Sequence, residues 1–306
     1  MKRSVFVLIL FIVVFIMKNS FQMYAQESLT NASIDKIMGE ILSLDQKVRE
    51  DYNFSNNKKE KEALLEKMKI QDSINQSVVL PIIDKYIDGE IEELSDTSWR
   101  ICFLIIQHSD LEIQLRYADF ITKYFNKGFI QNYEYLIFMD RINTKSNKAQ
   151  PFGSQVAELP NGKYLIFPVR PKVERDSALR KIGMDPNLFK VINGSMRYGK
   201  SVKESDLEKT SLEQYEPIEV ADSEFAILGI IASDKEKTNG IENVTIKIGN
   251  KIKVTTDKNG VFSFKIPKHN IPDSLLIEYI GKSWYYKLDK AKCTGDYIII
   301  SYVIEE

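Results

Sequence analysis

Residues 244–264 read VTIKIGNKIKVTTDKNGVFSF, and this stretch decides the fold of the C-terminal part of the chain. Apolar and polar residues alternate on both sides of Gly249-Asn250, which predicts two short strands joined by a turn. Asp257-Lys258-Asn259-Gly260 predicts a second turn, because Asp, Asn and Gly adopt turn conformations at low cost. The stretch therefore predicts neighbouring strands that each bury one face.

The same two-residue period extends over the rest of the C-terminal part. From Ile218 to the end of the chain it predicts roughly seven short strands with turn residues between them. Short strands at this spacing are typical of a sandwich of two sheets. We therefore predict an all-β Greek-key sandwich over residues 218–306.

Helical periodicity precedes this region. Five apolar residues repeat every three or four positions, which predicts an amphipathic helix: Ile34, Ile37, Ile41, Leu44 and Val48. Ser109-Asp110-Leu111-Glu112 has the pattern of a capping box, so a new helix is expected to begin there, directly after His108. Pro81 is expected either to kink a helix or to begin a new one.

A short hairpin and two short helices are also predicted before the sandwich. Asn161-Gly162 is a strong two-residue turn signal and predicts a hairpin within residues 156–169. Helices near 176–182 and 186–192 follow, and the polar residues 196–217 are interpreted as a linker. The predicted fold class is α+β in two domains: a mainly α-helical N-terminal domain over residues 27–195 with a small hairpin, followed by the sandwich.

The N-terminus has the parts of a secretory signal peptide. Lys2-Arg3 precedes an apolar run from Val5 to Met17 and a polar exit, so residues 1–25 are predicted to be a signal that is cleaved after Ala25. Met23 is larger than the residue that cleavage sites favour, and an uncleaved anchor is the alternative. The Lys-, Asn- and Ile-rich composition is typical of an AT-rich bacterial genome. We expect a periplasmic, extracellular or outer-membrane-associated protein with no stable transmembrane segment after signal removal.

The composition excludes several classes of protein. Lys and Arg number 42 against 43 Asp and Glu, a net charge of -1, which argues against a nucleic-acid partner. Two Cys and two His are too few for a disulfide scaffold, a Cys-rich zinc module or a site of three imidazoles. The sequence has no phosphate loop, nucleophile elbow or zinc-protease motif, so we predict neither a cofactor nor a metal ion.

Polar residues between positions 107 and 155 form the candidate site. Four of them are candidate catalytic residues: His108, Asp110, Asp140 and Arg141. Four glutamines are candidate binding residues: Gln107, Gln114, Gln150 and Gln155. An imidazole can serve as a general base, a carboxylate can orient it and a guanidinium can hold an anion. A structural role is the alternative, because these side chains can also cap helices and satisfy backbone groups.

Four segments of the C-terminal part carry a resemblance to a known family: 227–231, 240–246, 255–264 and 279–281. They resemble the carboxypeptidase-regulatory-like domain, a transthyretin-like β-sandwich that is common in exported bacterial proteins. Ile231 stands where this family usually has valine. The resemblance implies a sandwich that binds sugars, binds partner proteins or acts as a spacer.

The helical part carries a second resemblance, in these residues: Asp72, Asn75, Gln107–Asp110, Gln114, Asp140-Arg141, 150–155 and 178–184. Over residues 30–193 the chain is similar to the bacterial family catalogued as domain of unknown function 6624. It departs from the family at Tyr86–Glu93, where a Gly-Trp-Pro segment is expected, and at Phe152, which replaces a tyrosine. The resemblance implies no activity.

We predict a non-enzymatic protein of the bacterial envelope. In this hypothesis the helical domain binds a partner, and the sandwich contributes adhesion to an envelope protein or a glycan. The rival hypothesis is a periplasmic hydrolase or metal-dependent enzyme that uses His108 with Asp110 or Asp140, and Arg141 as the anion clamp. If His108, Asp140, Arg141 and Gln155 converge on an open cleft, a purely structural role is wrong; if they are buried and mutually satisfied, the enzyme hypothesis is wrong.

Overall fold

The structure, a computed structural model, describes residues 30–55, 57–158, 164–192, 195–198, 217–233, 239–249 and 252–304. Within them, seven α-helices lie in the N-terminal part and strands predominate towards the C-terminus, so the chain is of the predicted α+β class. The predicted signal peptide 1–25, the hairpin turn at 160–162 and residues 199–216 of the predicted linker lie outside the described residues.

The chain divides into two compact units, and the division falls between Gln131 and Asn132. The described residues of the first unit contain five helices: α1 (Asn31–Phe54), α2 (Lys58–Ile87), α3 (Asp96–His108), α4 (Leu111–Arg116) and α5 (Ala118–Asn126). Pro81 lies inside α2. Among the helices of the described residues, none is both long enough and apolar enough to cross a bilayer.

Polar caps and an apolar stripe explain why the first helices form. Thr30, Asn57 and Ser95 are N-caps whose side-chain oxygens accept hydrogen bonds from backbone amides of the first turn. The buried residues of α1 lie three or four positions apart: Ile34, Met38, Ile41 and Asp45. The stripe that packs α1 into the unit therefore ends on a charged residue.

The helix after His108 begins one residue later than predicted. Asp110 is the N-cap of α4, and its carboxylate accepts a hydrogen bond from the amide of Ile113 at 3.1 Å. The Ser109 hydroxyl donates to the carbonyl of Ile105 at 2.7 Å. The predicted capping box is wrong, because the serine side chain bonds to the helix that precedes it.

The second unit begins with helices α6 (Asn132–Lys145) and α7 (Lys172–Lys181) and two antiparallel strand pairs. β1 (Val156–Glu158) pairs with β2 (Tyr164–Ile166), as the predicted hairpin requires, and β3 (Phe189–Ile192) pairs with β4 (Ser195–Tyr198). The helix predicted over 186–192 is wrong: one 3-10 turn leads into β3, whose FKVI sequence has high strand propensity. Residues 196–198 of the predicted linker lie in β4.

Seven further strands follow: β5 (Glu224–Ala232), β6 (Thr245–Ile248), β7 (Ile252–Thr255), β8 (Val261–Pro267), β9 (Ser274–Tyr279), β10 (Lys282–Lys287) and β11 (Tyr297–Val303). Four of them form an antiparallel sheet in the order β10-β9-β6-β7. The other three form a sheet in the order β11-β5-β8, in which β11 and β5 are parallel.

Both sheets contribute side chains to one hydrophobic cluster. Ile246 and Ile277 come from the four-stranded sheet, and Phe225, Ile227 and Ile300 come from the three-stranded sheet. All five are almost fully buried. The two-residue period of the sequence thus places one face of each sheet in a common core.

The other face of the three-stranded sheet packs against chain that precedes it in sequence. Leu228 of β5 shares a second buried cluster with Ala149 and Val220. The buried Asp296 carboxylate also accepts a hydrogen bond from the amide of Ala149 at 2.8 Å. Residues near positions 149 and 220 therefore belong to the same compact unit as the strands, whereas the predicted domain limits lie at 195 and 218.

Two glycines permit the predicted turn at 257–260. Gly260 has a φ of +72°, and a Cβ there would lie 2.2 Å from the carbonyl oxygen of Ile231. A Cβ on Gly240 would lie 1.9 Å from the carbonyl oxygen of Asn259. The Asp257 carboxylate accepts a hydrogen bond from the amide of Asn259 at 2.9 Å, so this motif forms the turn itself.

Candidate functional site

The candidate residues of the first unit centre on His108, the last residue of α3. Its side chain is 21 % exposed, and its Nδ1 lies 4.0 Å from Oδ2 of Asp45 in α1. That separation is longer than a hydrogen bond, so the contact is electrostatic. His108 therefore faces a carboxylate, as the general-base hypothesis requires, and this carboxylate is not among the predicted residues.

Asp45 is buried and receives hydrogen bonds from two helices. Arg49, one turn further along α1, binds it through Nε and Nη2, each at 3.0 Å. The amide of Asn75 in α2 donates to Oδ1 at 3.1 Å, and the amide of Gln46 donates to Oδ2 at 2.9 Å. Four hydrogen bonds, two of them charge-assisted, compensate this carboxylate for the loss of water.

Arg49 connects the same carboxylate to a second one. Its Nη2 also donates to Oδ1 of Asp72 in α2, and the two side chains are 19 % and 22 % exposed. We use the name Asp45 network for five residues of α1, α2 and α3: Asp45, Arg49, Asp72, Asn75 and His108. The network brings a guanidinium, an imidazole and two carboxylates together where three helices meet.

Reasoning from the sequence missed Asp45 and Arg49. The available signal was the spacing of Ile34, Met38, Ile41 and Asp45, which places an acid on the buried side of α1 with Arg49 one helical turn later as its counter-ion. Asp72 and Asn75 enter the sequence analysis only through the family resemblance. The structure adds that both contact the α1 pair.

The other predicted residues of the first unit support the junction between α3 and α4. Gln114 is buried, and its Nε2 donates to the backbone carbonyl of Gln107 at 2.7 Å. Gln107 is itself buried, whereas Asp110 is exposed and caps α4. These contacts correspond to the structural role that the sequence left open for this set.

In the second unit, Asp140 of α6 is fully buried. Its carboxylate accepts hydrogen bonds from the backbone amides of Phe152, Gly153 and Ser154 at 2.9, 2.8 and 2.7 Å. Burial raises the pKa of Asp140 to about 6, while the hydrogen bonds from residues 152–154 act in the opposite direction. The carboxylate fixes the loop after α6.

Gln150 holds the adjoining residues of the same loop. Its Oε1 accepts from the amide of Gln155 at 2.7 Å, and its Nε2 donates to the carbonyls of Gln155 and Phe167 at 3.1 and 2.9 Å. Arg141 is half-buried, and its carbonyl accepts a hydrogen bond from the hydroxyl of Thr144 at 3.1 Å. Asp140 and Gln150 thus brace one loop.

The outer face of the four-stranded sheet carries a different kind of surface. Tyr285 of β10 is 77 % exposed and lies opposite Leu276 of β9. A row of polar residues crosses the four strands beside it: Ser283, Glu278, Thr245 and Thr255. Lys247 forms an ion pair with Glu278 at 2.8 Å. This surface is largely polar and presents the exposed aromatic ring of Tyr285.

Within the part of the chain that the structure describes, no group of three or more His, Cys, Asp or Glu side chains could hold a metal ion. Cys102 and Cys293 are free, and burial raises the pKa of the Cys102 thiol to about 12. A thiol with so high a pKa is a poor nucleophile at neutral pH.

Comparison with family models, with curated proteins and with solved structures found no match for this chain.

Proposed function

We propose that the chain is an exported bacterial envelope protein that binds a glycan and is not an enzyme. In this proposal a leader over residues 1–25 is removed, and a helical domain over 27–195 related to domain of unknown function 6624 is followed by a linker. The strands of 218–306 are proposed to form a Greek-key, transthyretin-like sandwich. The observation that carries the proposal is the exposed ring of Tyr285 on the outer face of the four-stranded sheet.

The chemistry of this face suits a sugar. A pyranose has an apolar C–H face that packs against an aromatic ring and a rim of hydroxyls that needs donors and acceptors. Tyr285 supplies the ring, while Ser283, Glu278, Thr245 and Thr255 supply polar groups at strand intervals of about 4.8 Å. Lys247 neutralises Glu278, so the row itself carries no net charge.

A hydrolase built around His108 is the second candidate, and one contact favours it. Nδ1 of His108 lies 4.0 Å from the Asp45 carboxylate, in a network with Arg49. Against it, Asp140, one of the carboxylates in the original hypothesis, bonds to three backbone amides. We therefore rank glycan binding first.

The test is binding of the full chain to insoluble cellulose, chitin and purified peptidoglycan, measured by depletion from solution. The proposal expects saturable binding to at least one of them and a loss of roughly tenfold in affinity for Tyr285→Ala, since an aromatic contact contributes about 1 kcal/mol or more. Val173→Ala is the matched control, because Val173 is 82 % exposed on α7. No binding to any of the three polymers, or equal losses in both variants, would remove the proposal.

A further inference from the structure

A continuous groove lies on the surface of the first unit, between the end of α2, the start of α3 and the end of α5. It consists of two adjoining cavities of about 1020 and 500 Å³. Five residues line both cavities: Tyr86, Ile91, Glu92, Tyr124 and Lys127. Cavities of this size are within the range that small ligands occupy. We call them the aromatic groove.

Packed rings give the groove a fixed shape. Trp99 stacks on Tyr124 with ring centroids 3.8 Å apart, and Tyr86 meets Trp99 edge-on at 5.0 Å. Trp99 and Tyr124 are almost fully buried, so they form the floor. Phe129, which stacks at 6.2 Å from Trp99, is 49 % exposed and presents apolar surface at the wall.

The charges of the groove are unevenly divided between its two cavities. Glu90, Glu93 and Asp96 line only the larger cavity. Arg116 and Lys123 line only the smaller cavity, together with Asp119. Arg116 already donates to Asp84 at 2.9 Å, but its side chain is 61 % exposed. Glu92 and Lys127 belong to both. The larger cavity is therefore acidic, the smaller cavity holds the cations Arg116 and Lys123, and the rings of Tyr86 and Tyr124 line both.

We propose that the aromatic groove binds a short peptide that carries both a free ammonium and a free carboxylate. The ammonium lies in the larger cavity, among Glu90, Glu93 and Asp96, and the carboxylate lies near Arg116 and Lys123. Apolar side chains between the two charges pack on the rings. This binding site is separate from the proposed glycan-binding face and depends on none of its residues.

Charge complementarity selects this occupant over singly charged polymers. A polyanion would meet the carboxylates of Glu90, Glu93 and Asp96, and like charges at short range oppose binding. A polyamine would meet Arg116 and Lys123 in the smaller cavity. A ligand with opposite charges at its two ends satisfies both cavities, and a short peptide with free termini is such a ligand.

The test is calorimetric titration of the full chain with the tetrapeptide lysyl-leucyl-leucyl-alanine with free termini. The matched control is the same sequence with an acetylated N-terminus, a glutamine in place of lysine and an amidated C-terminus. The free peptide is expected to bind about tenfold more tightly than the neutral one, and to weaken when salt rises from about 20 mM to about 300 mM. Equal affinities, or no saturable binding at about 10 mM peptide, would overturn the proposal.

Substitutions at two exposed positions, one in each cavity, test whether the peptide binds in the groove. Glu93→Gln and Lys123→Gln are each expected to weaken the free peptide by about two- to fivefold, since exposed charge pairs contribute up to about 1 kcal/mol. Glu66→Gln, on an exposed turn of α2 and 68 % exposed, is the control that should leave affinity unchanged. If all three variants bind the peptide alike, the ligand lies elsewhere. Thermal unfolding confirms that each variant is folded.

Discussion

Asp45 and Asp140 are both buried aspartates, yet different partners stabilise them. Asp45 in the first unit is held by side chains, chiefly the guanidinium of Arg49 and the amide of Asn75. Asp140 in the second unit is held by three backbone amides of one loop, residues 152–154. The comparison teaches that burial of a carboxylate does not by itself distinguish a functional group from a brace; its partners do.

The partners decide what each carboxylate can do. Arg49, Asp72 and His108 around Asp45 are each about one-fifth exposed, so water and small solutes reach the edge of that network. The amides around Asp140 belong to the chain itself and do not exchange for a ligand without unfolding the loop. The side chains around Asp45 can therefore exchange protons or contact a solute, whereas Asp140 serves to hold one loop in place.

The largest effect is expected from Arg49→Ala. This variant leaves the Asp45 carboxylate buried without its cation, which costs about 3 to 5 kcal/mol of unfolding free energy. The chain has two tryptophans, and Trp284→Phe leaves Trp99 of α3 as the fluorescence probe of the first unit. Urea unfolding in that background measures the loss.

An exposed ion pair of the same unit is the control for this prediction. Arg116 donates to Asp84 at 2.9 Å but is 61 % exposed, so Arg116→Ala is expected to cost less than about 1 kcal/mol. Losses of the same size in the two arginine variants would show that the Asp45 network is no more important to stability than a surface pair, and the comparison with Asp140 would then fail.

The elements of the fold were more predictable than the network. Helix α1 and the seven C-terminal strands follow from local periods of the sequence, which persist over several residues and average out single exceptions. The predicted stripe of α1 is wrong in part, because Met38 and Asp45 are buried while Leu44 is 42 % exposed. The contact between Asp45 and Asn75 spans 30 residues, and no local pattern encodes such a contact. The helix predicted at 186–192 failed for the opposite reason, since a short apolar run fits either period.

The candidate site was only partly predictable, because its contacts also join residues that are distant in sequence. His108, Asp140 and the glutamines were recognisable as unusual polar residues, but the sequence does not say which groups face them. Asp140 could be assigned to a brace only when the amides of 152–154 were seen to converge on it.

The second prediction concerns pH and tests the Asp140 side of the comparison. The pKa of Asp140 is about 6 in the folded chain and 3.8 in its ordinary state, so the folded form keeps its proton longer as pH rises. The unfolded form then binds fewer protons than the folded form, and stability falls between about pH 4 and about pH 6, by at most about 3 kcal/mol. The raised pKa of Asp140 contributes its full stabilisation only below about pH 4, where the carboxyl is protonated in both the folded and the unfolded chain.

Asp140→Asn removes this titration and isolates it from other groups. The difference in stability between the wild type and the variant should narrow as pH rises through that window, measured by hydrogen exchange of amides in the second unit. Asp273→Asn is the control. Asp273 is 92 % exposed, so stability of this variant should depend on pH in the same way as that of the wild type. Parallel profiles for the wild type and Asp140→Asn would show that the amides of 152–154 outweigh burial and keep the carboxylate ionised.

The smallest effect is expected from His108→Ala. The 4.0 Å between Nδ1 and the Asp45 carboxylate is longer than a hydrogen bond and the imidazole is 21 % exposed, so the expected loss is below about 1 kcal/mol. Urea unfolding followed by Trp99 measures it, with His269→Ala in the second unit as the control. A loss as large as that of Arg49→Ala would make His108 a structural member of the network. A small loss would leave the imidazole dispensable for folding while Arg49 holds Asp45 in place, which is the condition that the second candidate function, a hydrolase with His108 as general base, requires.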